Sequence, residues 1–128
     1  MSALNENAIT LLSTTTVSLA ANADTTLYTV PTGKTLILSH AILVVAADAG
    51  TTDISIGQNT AETDFVGAID LANLDSANDA CRLAPVPVAA ASSAAKEEAY
   101  AAGTVIQCQV TNQAGGTGNT LYLFGTLY

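Results

Sequence analysis

Along most of the chain apolar and polar residues alternate with a period of two, the spacing of a strand with one buried face. Residues 11–19 set Leu11, Val17 and Leu19 on one side and Thr14, Thr16 and Ser18 on the other. Residues 25–30 form a short strand that stops at Pro31. Pro31-Thr32-Gly33 is then a turn, because proline presets φ and glycine accepts a positive φ. Residues 34–47 are the longest strand. Residues 52–57 carry Ile54 and Ile56 on one face, and residues 65–71 bring Phe65, Ile69 and Leu71 together. Residues 80–88 contain Pro85 and Pro87, which restricts them to an edge strand or an irregular extended segment. Residues 104–111 place Ile106, Cys108 and Val110 inward, and residues 120–128 close the chain. The Ala-rich residues 89–102 have the one stretch of helical composition, with Gly103 as its stop; at most a short helical turn is expected there. About eight short strands at regular spacing are the signature of an all-β sandwich or barrel. Residues 1–10 lack a strand pattern and read as an N-terminal arm, and residues 11–128 as a single β-sandwich domain.

Two segments depart from the alternation. In residues 34–47, Leu36, Leu38, Ile42 and Val44 fall on one face, and Ile37, Ala41, Leu43 and Val45 on the other. In the last strand, Leu121, Leu123 and Leu127 oppose Tyr122, Phe124 and Tyr128. A strand with one wet side should not be apolar on both. A two-sheet sandwich has one interior, so the second face is expected to be covered by a neighbouring subunit. The alternative is a bulge near Ser39-His40 that switches faces midway.

Composition sharpens that expectation. Hydrophobic residues make up 49% of the 128, charged residues only 11%, and the net charge is −8. The hydrophobic fraction excludes a disordered chain. Soluble domains typically carry about 25% charged residues, so this surface must be covered by Thr, Ser, Asn, Gln and Ala, or by another subunit. With Lys34, Arg82 and Lys96 as its basic residues, the chain has no footprint for nucleic acid or an anionic membrane. No secretory signal is visible at the N-terminus, and no apolar run approaches the roughly 20 residues that span a bilayer. The chain reads as soluble and made in a cytoplasm.

Candidate chemistry is sparse, and no catalytic, cofactor-binding or metal-binding set is assigned. His40 is the one histidine, set in an apolar strand, where it reads as a core or interface residue. Cys108 reads as a small core hydrophobe; Cys81 and Cys108 are expected to remain reduced thiols, a bridge between them being the alternative. Zinc-ligand, P-loop, GxGxxG and HExxH patterns are lacking. The acidic segment holding Asp70, Asp75 and Asp79, and the pair Asp48 and Asp53, are oxygen donors of the kind calcium takes; without the EF-hand pattern they read as solvated loop charge.

The segment Tyr28-Thr29-Val30-Pro31-Thr32-Gly33-Lys34-Thr35 resembles a Y-x-V-P-x-G-K-T opening that recurs in small β-sandwich structural proteins of tailed bacteriophages. Ala102-Gly103-Thr104-Val105-Ile106 resembles the turn into their penultimate strand, and residues 120–128 match their Gly-containing last strand loosely. The resemblance implies a jelly-roll-like β-sandwich without enzymatic activity or cofactor. It implies a head decoration (cement) protein on the exterior of a virion, where it bridges subunits of the major capsid protein. A homo-oligomer is expected, with a trimer as its form. The contacts are expected from Leu4, Ile9 and Leu11 in the arm region and from the outward residues Leu43, Val45, Tyr122, Phe124 and Tyr128. The alternative is a tail, fibre or head-spike module that recognises a host surface ligand through residues 57–64 and 112–119.

Overall fold

The computed structural model describes residues 8–85 and 99–128. They form nine strands: β1 (Thr10–Val17), β2 (Asp24–Thr29), β3 (Leu36–Val44), β4 (Asp53–Gln58), β5 (Ala61–Asp70), β6 (Ala80–Leu83), β7 (Ala99–Tyr100), β8 (Val105–Thr111) and β9 (Asn119–Leu127). The first sheet has the order β1-β9-β3-β6, with the two-residue β7 also on β3; the second has the order β2-β8-β4-β5. All pairings are antiparallel. Leaving β7 aside, the chain pairs its first strand with its last, its second with its last but one, and so inward to β4 with β5. That nested order winds the chain through two antiparallel sheets packed as a sandwich. Leu4 lies outside the described residues. Of the Ala-rich stretch expected to turn helically, residues 99 and 100 are the strand β7, and residues 89–98 lie outside the described set.

The β-branched and leucine side chains that alternate along the strands meet between the sheets. Val17, Leu36, Leu38, Ala41, Leu43, Leu121 and Leu123 of the first sheet pack over Ile54, Ile56, Val66, Ile106, Cys108 and Val110 of the second. Gly33, at φ 76°, closes the turn before β3, where a Cβ would be strained. Gly125 lies where β9 is held most tightly. A Cβ there would sit 2.7 Å from the Ile37 carbonyl oxygen and 2.9 Å from Leu12 Cδ1.

The long strand settles its two-faced pattern by a bulge. Its pairing with β9 runs Leu38 to Gly125 and then His40 to Phe124, leaving Ser39 as the extra residue. Leu36 and Leu38 therefore face inward before the bulge, and Ala41, Leu43 and Val45 after it. Leu43 and Val45, expected to point outward, are 0% and 1% exposed and belong to the core. Ile42 and Val44 take the outer positions instead, half-buried, together with Ile37. A matching bulge in β1 makes Leu12 the extra residue opposite Phe124. Leu12 turns in to the core and Leu11 turns out, so Leu11 does not share the face of Val17 and Leu19.

Polar side chains lock the ends. Buried Asn119 accepts a hydrogen bond from Ala46 N at 2.9 Å and donates from Nδ2 to Val17 O (2.9 Å) and Gly116 O (2.8 Å). It thus joins β1, the segment after β3 and the loop before β9. At the other end Tyr100 Oη donates to Asp64 Oδ1 at 2.9 Å, a link from the first sheet to the second.

Candidate functional site: a neutral face and an apolar corner

Directly paired residues on neighbouring strands share a face, so the register defines the outside of the first sheet. One row across it is Leu11, Phe124, His40. The next is Thr14, Tyr122, Ile42, Arg82, and beyond it Thr16, Thr120, Val44, Ala80. Tyr122 and Phe124 are half-buried on this face, where Phe124 stacks on His40 with centroids 4.6 Å apart and planes 10° from parallel. None of the five strands of this sheet carries a carboxylate, and Arg82 is their one full charge. Asp79 lies at the rim, one residue before β6.

The second sheet is the opposite. Its strands carry Asp24, Asp53, Glu62, Asp64 and Asp70. Asp53 and Asp70 are direct cross-strand partners, an arrangement of like charges that costs stability unless solvated. Asn112 Nδ2 donates to Asp53 Oδ2 at 2.6 Å and offsets part of it.

The large apolar side chains exposed most among the described residues are Ile9 (60%), Leu11 (52%) and Tyr128 (50%). The antiparallel register puts all three at one corner, where β1 begins and β9 ends. Thr10 pairs with Gly125, and Tyr128 exchanges both backbone hydrogen bonds with Thr35 (2.8 and 3.0 Å).

His40 carries the one nucleophile–base contact at this face. Ser39 Oγ lies 2.9 Å from His40 Nδ1. Burial and the nearby Arg82 charge push the His40 pKa down, which disfavours the imidazolium that a general base must become. Among the described residues no carboxylate bonds the ring, and the register sets the pair on the outer face of the first sheet. Stacking and bulge geometry explain it without chemistry.

A cavity of about 210 Å³ opens between the end of β5 and β6, over Ile69, Leu71, Leu74, Cys81 and Leu83, with Asp70 and Arg82 at its lining. Ligand pockets usually exceed about 300 Å³ and gather several polar groups. Both thiols are free. Burial raises the pKa of Cys81, and burial with the nearby Asp24 charge pushes Cys108 up to about 12. Neither is an activated nucleophile.

The acidic loops are tied up locally. Asp48 accepts from Gly50 N (2.7 Å), Asp70 from Ala72 N (2.8 Å) and Asp79 from Ser76 N (3.0 Å). Asp75 accepts from the Ser76 hydroxyl (3.3 Å). These are turn-stabilising bonds, and among the described residues no group of three His, Cys, Asp or Glu side chains can hold a metal. Nor do residues 57–64 and 112–119 converge on a binding site. Gln58 pairs near the start of β8 and Asp53 with its last residue, so the two loops sit at opposite ends of that strand. Among the described residues no helix is long and apolar enough to cross a membrane.

Fold and surface together define an all-β sandwich with one neutral sheet and one acidic sheet. No family model matches the chain, and no curated protein matches it by sequence. Its fold is similar to that of a chain in the acidic stable capsid structure of Helicobacter pylori bacteriophage KHP30. The TM-score is 0.61 at 17% identity, over 94% of this chain and 90% of that one. The likeness is one of fold.

Proposed function

We propose that the chain is a non-enzymatic structural protein of a bacteriophage virion, a decoration protein on the capsid exterior that acts as a homo-oligomer and bridges subunits of the major capsid protein. The observation that carries this reading is the division of the surface. The exposed Ile9, Leu11 and Tyr128 gather at the corner where β1 begins and β9 ends, while the carboxylates of the strands lie on the other sheet. An apolar corner is suited to bury area on a shell, and an acidic sheet turned to solvent keeps particles soluble and mutually repulsive. The fold shared with a chain of a phage capsid structure supports the same reading.

The test is particle survival. Particles assembled with and without the chain are heated and osmotically shocked. The reading expects more intact heads when the chain is present, and loss of that protection for Ile9→Asp and Tyr128→Asp. Equal survival with and without the chain removes it.

A further inference from the structure

We infer that the outer face of the first sheet is a self-association surface, taken by the same face of a second copy of this chain about a twofold axis. The inference deepens the oligomeric part of the proposed function and rests on it only for that part.

Three observations carry it. The first is area. The strands β1, β9, β3 and β6 hold 8, 9, 9 and 4 residues, which at about 3.3 Å per residue and about 4.8 Å between strands cover roughly 500 Å². Two copies face to face then bury about 1,000 Å², the lower limit of a specific interface. The second is side-chain character. Phe124 stacked on His40, Tyr122, Ile42 and Val44 form a continuous half-buried apolar and aromatic stripe, with Leu11 at its edge. Aromatic residues in such a position are the anchors of interfaces.

The third is charge. Each copy brings a net charge of −8, yet the strands behind this face carry no carboxylate. Like faces can therefore meet without burying a carboxylate or opposing like ones. A threefold ring is heterologous: it would set this face against a different surface of its neighbour. The other broad surface is the second sheet, with Asp24, Asp53, Glu62 and Asp70 on its strands, Asp64 being turned to Tyr100 of the first sheet. Burying carboxylates under an aromatic stripe with one arginine leaves most of them unpaired, which is costly. Twofold pairing of the neutral faces buries no carboxylate of these strands, and Arg82, exposed on the edge strand β6, can keep its charged head in water. Sheet-on-sheet packing at about −30° is the geometry expected.

The experiment is sedimentation of the full chain from low to high micromolar concentration, free of any particle. The expected result is a monomer–dimer equilibrium. Tyr122→Glu, which places two carboxylates near the axis, should raise the dimer dissociation constant by about tenfold or more. Leu11→Glu, at an exposed edge where folding is not at risk, should raise it several-fold. Thr26→Glu, on an exposed position of the second sheet, should leave it unchanged. A monomer at every concentration overturns the inference, whether residues 86–98 of the same chain or a shell protein then covers the face. So does a trimer as the smallest assembly, or a dimer that survives both face variants. The particle-survival test of the decoration reading is a separate measurement, so either can fail alone.

Discussion

Removing Ser39 tests the bulge on which the facing of β3 depends. In the pairing with β9, Leu38 meets Gly125 and His40 meets Phe124, so Ser39 has no partner of its own. Deleting it leaves Leu36, Leu38, Ala41, Leu43 and Val45 on one face in strict alternation, and every pairing one-to-one. What is lost is the hydrogen bond between Ser39 Oγ and His40 Nδ1, about 1 kcal/mol, and some local twist. The cost should stay below about 2 kcal/mol. Deleting Ile42, which has partners on both sides, does the reverse. It turns Leu43 and Val45 out of the core, at about 1.5–3 kcal/mol each, and Val44 in, which recovers one such amount. The net loss of about 1.5–3 kcal/mol excludes repacking and broken pairings with β6, which add to it, and it is set against a total stability of about 5–15 kcal/mol.

Thermal and urea unfolding followed by circular dichroism read both variants. For a chain of this length 1 kcal/mol shifts Tm by about 3–5 °C. The Ser39 deletion should therefore stay folded with a Tm within about 10 °C of the parent, and the Ile42 deletion should fall well below it or fail to fold. If the strand were straight, deleting Ser39 would flip one half of it and cost at least as much as deleting Ile42. That outcome would refute the assignment of faces and, with it, the outer stripe built on Ile42 and Val44.

Four further expectations follow from single side chains. Asn119→Ala loses three hydrogen bonds at once and should cost about 2–4 kcal/mol in urea unfolding; a loss under about 0.5 kcal/mol would mean water replaces all three. Among the described residues Ser13 Oγ is buried without a hydrogen-bond partner, so Ser13→Ala should leave stability unchanged or raise it by about 1 kcal/mol, and a clear loss would contradict the missing partner. His40 has a lowered pKa from burial and Arg82, so the folded state binds its proton less readily than the unfolded chain. Its contribution is full above the ordinary histidine pKa of 6.5 and is lost as pH falls through the lower folded value; His40→Gln should remove that component of the pH profile, and an unchanged profile would assign it elsewhere. Buried Cys108, with its thiol pushed to about 12, should react with a thiol reagent only as fast as the protein opens, while half-exposed Cys81 reacts in the native state; equal rates would contradict the burial.

Most strands were legible because each needs only a period of two and a stop. Pro31-Thr32-Gly33 ends β2, Pro85 follows β6, and Ile106, Cys108 and Val110 declare β8. Facing was legible only where alternation is unbroken. A bulge adds one residue and reverses every inference downstream of it, which is why Leu43 and Val45 were expected outside and lie inside. Ser39-His40 was the place where polar residues interrupt the apolar run, so the alternative was visible. The choice was not, because both faces after the bulge are apolar. Leu12 and Leu11 show the same ambiguity: two adjacent leucines give no period. The Tyr100–Asp64 bond and the bonds of Asn119 to Ala46 and Val17 join residues 36 to 102 positions apart, and nothing in a local pattern signals a partner that distant.

The low charge of the chain takes its meaning from where the charges are placed. Spread evenly, eight described carboxylates would leave every surface mildly acidic and none suited to contact. Instead Asp24, Asp53, Glu62, Asp64 and Asp70 lie on strands of one sheet, Asp48, Asp75 and Asp79 on loops, and none on the strands of the other. Solubility does not require this segregation, which even sets Asp53 beside Asp70 across the strands. A sheet free of carboxylates fits the self-association inferred above. The same argument fixes the sign of one more measurement. Because association through the neutral face leaves the acidic sheets far apart but still mutually repelling, added salt should strengthen self-association slightly by screening that repulsion. Weakening by salt would mean that ion pairs, not the aromatic stripe, hold the copies together.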